Sequence, residues 1–307
     1  MIKNKLDEKI DISIVVLHYN DYELTVNYVN NIQSLNWDNL NYKIIIVDNC
    51  SPDGSGNYLK TKYIFDEYVD VIISPINLGF AKGNNLGICF ANENYHSDLI
   101  VVSNNDIQIQ DYDFFIKLWS TFQKNNVAII GPDIYSTDKN IHQSPINQQI
   151  LNKEQLLIFE KNISKKIKYL RVIKKLKVYN ILSDLKRCLL GKSGKDSYLY
   201  DKKQYNVVLQ GAFFVLTKKY LNKHPEGLYP GTFLYMEELI LFYICFKENL
   251  DILYDPELKV LHFDGVSTRN KKNDRCDKYL FEMIETLKSC NVFEKVISEY
   301  ERGINHV

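Results

Sequence analysis

Through the first half of the chain, apolar residues come in short unbroken runs that end on polar or turn-forming residues. These runs alternate with stretches whose apolar positions recur every three or four places. The first pattern reads as a strand buried on both faces and the second as a helix lying across a sheet. Strands are predicted over 12–17, 43–47, 71–74, 99–103 and 127–131. Helices are predicted over 21 to about 34, with Asn20 as cap and Glu23 three residues on, and over 81 to about 92. Strands alternating with helices predict an α/β fold with a mostly parallel sheet and helices on both faces.

The regularity breaks after about residue 140. Between Lys161 and Lys192 there are eleven Lys or Arg and one acid, Asp184, with Ile163, Ile167, Leu170, Ile173 and Leu176 at helical spacing. This basic amphipathic element fits two readings equally, a helix packed on the domain with a solvated basic face or a membrane-surface contact. The pattern then resumes, with a strand over 207–216, a helix over 237–248, two short strands over 252–254 and 258–261, and a helical tail from Asn270.

At 307 residues and 45% apolar content the chain can fill a substantial core. Its 38 Lys plus Arg balance 38 Asp plus Glu, so no overall charge draws it to nucleic acid, and any electrostatic partner meets a local patch. The six cysteines form no C-x-x-C pair, which argues for reduced thiols over a zinc site or disulfide framework. The first ten residues lack the apolar segment of a secretion signal and no 18-residue apolar window occurs, which predicts a cytoplasmic protein.

Four clusters carry candidate chemistry. Asp48 ends the run I-I-I-V before the turn-rich D-N-C-S-P-D-G-S-G; a carboxylate there can accept the imide hydrogen of uracil or thymine, or simply form the turn. In N-L-G-F-A-K-G-N-N, Asn77, Lys82 and Asn85 surround two glycines at a helix start, where a diphosphate is favoured. V-V-S-N-N-D-I delivers Asn104, Asn105 and Asp106 to a strand end, where open α/β sheets bind ligands and a hard oxygen suits a divalent cation. F-L-Y-M-E-E-L opens a helix with Glu237 and Glu238, which the helix dipole favours in any case and of which either can serve as general base. His262 follows in V-L-H-F-D-G-V-S.

Taken in order, these segments, with I-S-I-V-V-L-H-Y-N and L-Q-G-A-F-F-V-L, resemble the inverting glycosyltransferases of family 2, and within them the rhamnosyltransferase-like branch of bacterial polysaccharide synthesis. The resemblance covers residues 12 to about 135 and 205 to 268. It implies a GT-A catalytic domain over 1–268, with a basic helical insertion at about 140–205 and a C-terminal helical extension over 269–307.

The resemblance also implies roles. Asp48 would bind the nucleotide base, with the backbone near Leu17 and His18 completing its pocket. Asn77, Lys82 and Asn85 would line the ribose and diphosphate, beside Asn105. Asp106 would ligate Mg²⁺ or Mn²⁺ with the diphosphate, supported by His262; Asn104 takes the first position of the usual D-x-D, which removes one anionic ligand. Gly211 and Ala212 would shape the sugar pocket, and Glu238, where many relatives carry Asp, aligns with the base. The implied partners are a UDP- or dTDP-linked sugar, dTDP-rhamnose among them, and a saccharide or lipid-linked saccharide acceptor, on the cytoplasmic side and with residues 161–192 against the inner face of the membrane as one option. A degenerate domain that binds saccharide or acts as a scaffold is the alternative. A nucleotidyltransferase ranks below both, because the loop after the first strand is H-Y-N-D rather than glycine-rich and basic.

Overall fold

The computed structural model describes residues 9–176, 200–263 and 275–303. Strand β1 (Ile12–His18) lies between two parallel neighbours, β2 (Tyr42–Asp48) and β4 (Leu99–Asn104). β3 (Val69–Ile73) continues the sheet beyond β2. Past β4 the pattern changes: β9 (Phe213–Thr217) runs antiparallel between β4 and β6 (Ile129–Ser136). β10 (Ile252–His262) is parallel to β6, and β5 (Ile107–Gln108) pairs antiparallel with its end. The order is β3-β2-β1-β4-β9-β6-β10-β5. Two-residue strands β7 (Ile141–His142) and β8 (Gln204–Tyr205) flank β6 and β10.

Alternate residues of each strand serve opposite cores. Val15, Ile45 and Val47 join one; Ile14, Val16, Ile44 and Ile46 join the other. Helices α1 (Tyr22–Gln33) and α4 (Phe114–Lys124) cover the second through Val29, Ile32, Phe114 and Leu118. The first is covered by α3 (Gly79–Tyr95), α7 (Glu237–Lys247) and α8 (Arg275–Glu301), through Ile88, Ile240 and Phe293. Each such side chain contributes about 1.5–3 kcal/mol on burial. A one-residue slip of any central strand would exchange its two faces, so the register is held from both sides. The remaining helices among the described residues are α2 (Ser55–Lys62), α5 (Lys153–Lys175) and α6 (Lys218–Leu221).

Several expectations change. The cap of α1 is Asp21, whose Oδ1 accepts from the Leu24 N–H at 3.3 Å, and not Asn20. Residues 207–212 are not part of a strand: the Gly211 N–H goes to Glu238 and the Ala212 N–H to the Gln210 side chain, so neither enters a ladder. The two short strands of the second half are one strand, β10, whose register shifts between Asp255 and Lys259. Pro256 explains the interruption, because it has no N–H to donate.

The basic element is a helix over Lys153–Lys175, and its remainder to Lys192 lies outside the described residues. Ile163, Ile167, Leu170 and Ile173 are buried, the last two against Cys276 of α8, whereas Leu176 is exposed. The C-terminal helix α8 belongs to the main core through Phe293, Val296 and Ile297, and its Ser289 Oγ donates to the Leu234 carbonyl at 2.8 Å. The five described cysteines are unbridged, and among the described residues no helix is long and apolar enough to cross a membrane.

Candidate active site

The chain leaves β1 toward β2 and β3 on one side and later returns to β4 on the other, so a crevice opens where β1 and β4 end. Strand register sets Leu17 opposite Asn104 and His18 opposite Asp48 at this edge. The second half reaches the same edge differently. Because β9 is antiparallel, its beginning meets the end of β4, and the Asn104 N–H donates to the Ala212 carbonyl at 2.9 Å. The end of β10 arrives alongside, with the Phe263 N–H donating to the Asp106 carbonyl at 2.9 Å. Asp48, Asn104 to Asp106, Gly211 with Ala212, and His262 are thus assembled from four distant segments.

Asp106 and His262 make one corner. Nε2 of His262 stands 3.2 Å from Oδ1 of Asp106, while its Nδ1 donates to Oε1 of Gln143 at 2.7 Å. In its neutral form the ring therefore turns a lone pair toward a carboxylate oxygen. That oxygen is buried and has no hydrogen-bond partner among the described residues. A protonated ring would close this contact as an ion pair, and with Nε2 unprotonated the imidazole and the carboxylate suit a divalent metal that takes its other ligands from phosphate and water. Among the described residues no group of three or more His, Cys, Asp or Glu is arranged to hold a metal by itself. The donor set fits a cation shared with an anionic ligand.

Asp48 makes the second corner. Its Oδ1 accepts from the Ser51 N–H at 3.2 Å and the Ser51 hydroxyl at 2.5 Å, and a Cβ on Gly56 would land on its carboxylate. The side chain of His18 points into the fold, with ring nitrogens 2.7 Å from the Thr25 and Ser55 hydroxyls; only its backbone lies at the edge, and its carbonyl accepts from the Asn49 N–H at 2.8 Å. Leu17 packs where a Cβ on Gly83 would meet it at 2.7 Å.

The start of α3 departs from the sequence reading. Its leading amides are already satisfied: Leu78 by Asn49 Oδ1, Gly79 by Asn77 Oδ1 and Phe80 by the Phe233 carbonyl. A helix start whose N–H groups have protein acceptors is a poor diphosphate cradle, and Asn77 is spent building it. Asn85 is likewise committed. Its Nδ2 donates to the Leu228 carbonyl at 2.7 Å and its Oδ1 accepts from the Leu228 N–H at 2.8 Å, so it clamps a loop instead of lining a ribose. Lys82 is exposed and lines a groove of about 490 Å³ with Lys223, His224, Glu226 and Tyr229.

Glu237 and Glu238 begin α7 after two consecutive left-handed residues, Tyr235 (φ 67°) and Met236 (φ 74°). This strained turn aims two carboxylates into one apolar pocket. Oε1 of Glu238 accepts from the Gly211 N–H at 3.2 Å, and a Cβ on Gly211 would meet that oxygen at 2.6 Å. Glu237 is 8% exposed, and its Oε1 has no hydrogen-bond partner among the described residues. A cavity of about 10 Å³ beside both, walled by Phe80, Leu209 and Phe214, has room for one water. Burial, and then the charge of Glu238, pushes Glu237 above the usual carboxylate range; burial also raises Glu238. Two carboxylates raised in this way take up a proton more readily than free ones, as a general base must.

The residues that sequence reasoning missed are Asn49, Thr25, Ser55 and Gln143, which hold the named ones in place. Only Asn49 and Ser55 carried a signal, since both lie in the turn-rich segment after Asp48.

The fold is shared with solved structures. Residues 1–349 of S. aureus TarS superpose with a TM-score of 0.52 at 11% identity, covering 91% of this chain and 71% of that one. The TarS complex with UDP-GlcNAc gives 0.53 at 11% identity, over 95% and 71%. GalNAc-T7 with UDP, GalNAc and Mn²⁺ gives 0.54 at 11% identity, over 84% of this chain and 44% of that one. The fold is GT-A. Residues 13–181, more than half of the sequence, match the family model for Glycosyl transferase family 2, and the chain belongs to that family. The low-salt glycan biosynthesis hexosyltransferase Agl10 of Haloferax volcanii is 26% identical over 136 residues, 44% of this chain; the match spans only 40% of that relative.

Proposed function

We propose that the protein is an inverting glycosyltransferase that moves a sugar from a nucleoside diphosphate sugar to a hydroxyl of a saccharide or lipid-linked saccharide. The observation that carries this reading is the convergence of Asp48, the Asp106–His262 pair and Glu238 on one sheet edge. Asp48 takes the base, and its carboxylate selects uracil or thymine through the imide N–H. The sugar lies against Gly211 and Ala212, with Leu17 and Asn105 completing the walls. TarS binds UDP-GlcNAc and GalNAc-T7 binds UDP in solved complexes, which supports a UDP-linked donor here. For dTDP-rhamnose and cell-surface polysaccharide synthesis the support is the motif resemblance alone.

Glu238 is the base. Gly211 holds its Oε1, and its other oxygen takes the acceptor proton as the hydroxyl attacks the anomeric carbon and the bond to the diphosphate oxygen breaks. One displacement inverts the anomeric centre and needs no covalent sugar intermediate. Mg²⁺ or Mn²⁺ held by Asp106 and His262 would neutralise charge on the departing diphosphate. Lys82 contributes a flexible cation on the same side, without the helix amides. Glu238→Gln should lower turnover by about 10²–10⁴ while UDP affinity stays within about twofold. Normal turnover would remove Glu238 from the mechanism. A wild-type protein that binds donor but neither transfers nor hydrolyses it would favour the saccharide-binding or scaffold reading.

The location of the acceptor is suggested by α5. Opposite its buried stripe, Ile158, Tyr169, Val172 and Leu176 are 54%, 58%, 56% and 63% exposed and fall on one line of the helix, beside Lys161, Lys165 and Lys168. An aromatic-aliphatic line edged by lysines suits an anionic leaflet on the cytoplasmic side, each cation adding about 1 kcal/mol near the surface. Sedimentation with phosphatidylserine-containing vesicles should exceed that with phosphatidylcholine alone and should fall in a Tyr169→Ser, Val172→Ser variant. Equal sedimentation with both vesicles would refute the contact.

A further inference from the structure

Beneath the site runs a chain of side-chain hydrogen bonds, buried at its centre, that none of the assigned roles uses. Asn105 Nδ2 lies 2.9 Å from Thr25 Oγ1; Thr25 Oγ1 lies 2.7 Å from His18 Nδ1; His18 Nε2 lies 2.7 Å from Ser55 Oγ; and Ser55 Oγ lies 2.5 Å from Asp53 Oδ1. His18 and Thr25 are 0% exposed and Ser55 is 3% exposed.

The polarity of every link follows from one end. An ionised carboxylate only accepts, so the Ser55 hydroxyl donates to Asp53, which the Ser55 N–H also reaches at 3.0 Å. The Ser55 oxygen must then accept from His18 Nε2–H. That leaves a lone pair on Nδ1, which takes the Thr25 hydroxyl proton, and the Thr25 oxygen is free to accept from the Asn105 amide. Every donor on the path has an acceptor. Burial holds His18 below its usual range against the opposing pull of Asp48, Asp53 and Asp21, which keeps the ring in the neutral form that this direction requires.

We infer that His18 is a positioning residue: through Thr25 it ties the loop that carries Asp106 to the loop that follows Asp48, and so sets the site for a divalent cation. The neighbouring backbone is pinned at both ends, by Asn104 N–H on Ala212 and Phe263 N–H on Asp106, and the relay fixes the amide plane of the residue between. Asn105 with its Nδ2 committed keeps Oδ1 as its available oxygen. Losing such an outer support costs a metal site about 10–100-fold in affinity.

The inference rests on the proposed nucleotide and cation site, and the experiment separates the two. Mn²⁺ binding is measured by titration in the presence of saturating UDP, and UDP binding is measured separately in EDTA, for wild type, Thr25→Val, Thr25→Ser and Ser55→Ala, with thermal unfolding as a check on folding. Thr25→Val keeps the shape and removes the relay. It should weaken Mn²⁺ about 10-fold and leave UDP binding in EDTA within twofold, while Thr25→Ser restores Mn²⁺ affinity. Ser55→Ala, at the far end of the relay, should weaken Mn²⁺ in the same direction by a smaller factor, and it carries the test if the valine variant does not fold. Unchanged Mn²⁺ affinity in the folded variants, or an equal loss of UDP binding in EDTA, overturns the relay and leaves the site intact. If wild type shows no UDP-dependent Mn²⁺ binding, the proposed site itself fails and the relay with it.

Discussion

Each half of the molecule brings a carboxylate to the same edge, and each does so over a glycine. In the first half a parallel strand ends at Asp48, and the missing Cβ of Gly56 leaves the space that its carboxylate fills. In the second half Glu238 comes from a helix start behind two left-handed residues, and the missing Cβ of Gly211 leaves space for its Oε1. The first carboxylate is placed by strand register, which two cores enforce. The second is placed by a strained turn and one amide, so it can be displaced with little damage to the sheet. On the proposed roles, ligand recognition would sit on the half fixed by strand register and proton transfer on the half fixed by a single turn.

This contrast can be broken most sharply by exchanging the two glycines for alanine. Gly211→Ala should lower kcat by about 10²-fold and leave UDP affinity nearly unchanged. Gly56→Ala should do the reverse, weakening UDP by roughly 1–3 kcal/mol as a displaced buried polar group would, with a smaller effect on kcat at saturation. Identical profiles for both variants would erase the distinction between the halves.

A subtler test lies in the acid limb of the rate. As the proposed base Glu238 must be ionised to act, and burial raises it, while burial and then the Glu238 charge raise its coupled neighbour Glu237 in the same pocket. The rate should therefore fall as pH drops through a value above the ordinary carboxylate range. Glu237→Gln removes the like charge, so the limb should move to lower pH with the plateau largely kept. The stability sign is opposite: a carboxyl raised in the folded state stabilises at low pH, and that contribution is lost as pH rises through the folded value. The variant should flatten this loss, read by thermal unfolding across the same range. A limb that stays in place would mean that the two glutamates do not interact.

Much of the first half is legible in the sequence because its signals are local. An apolar run that stops at Asp48 or at Asn104 states both the strand and its ending, and parallel register then aligns the ends. The second half is less so. Nothing in 207–216 distinguishes a strand from a loop that feeds Gly211 to Glu238, because the partner lies 27 residues away in sequence. Asn85 and Asn77 fit a ligand pocket by composition, yet an amide satisfies a backbone clamp equally well, and their use is decided by tertiary neighbours. Thr25 and Gln143 are ordinary polar residues until the fold sets them beside His18 and His262. On α5 the periodicity found the apolar stripe that packs on α8; the exposed line opposite is broken by lysines and too sparse to register as a period.

The central claim, a nucleotide site that shares a cation with its ligand, is tested most directly by thermal unfolding with UDP, dTDP, GDP or CMP in Mn²⁺, Mg²⁺ or EDTA. A nucleotide at a hundredfold excess over its Kd adds about 2.7 kcal/mol to the native state. The account predicts a rise with UDP or dTDP that needs the metal, and little with GDP or CMP. No rise with any nucleotide, or one that is the same in EDTA, would contradict it.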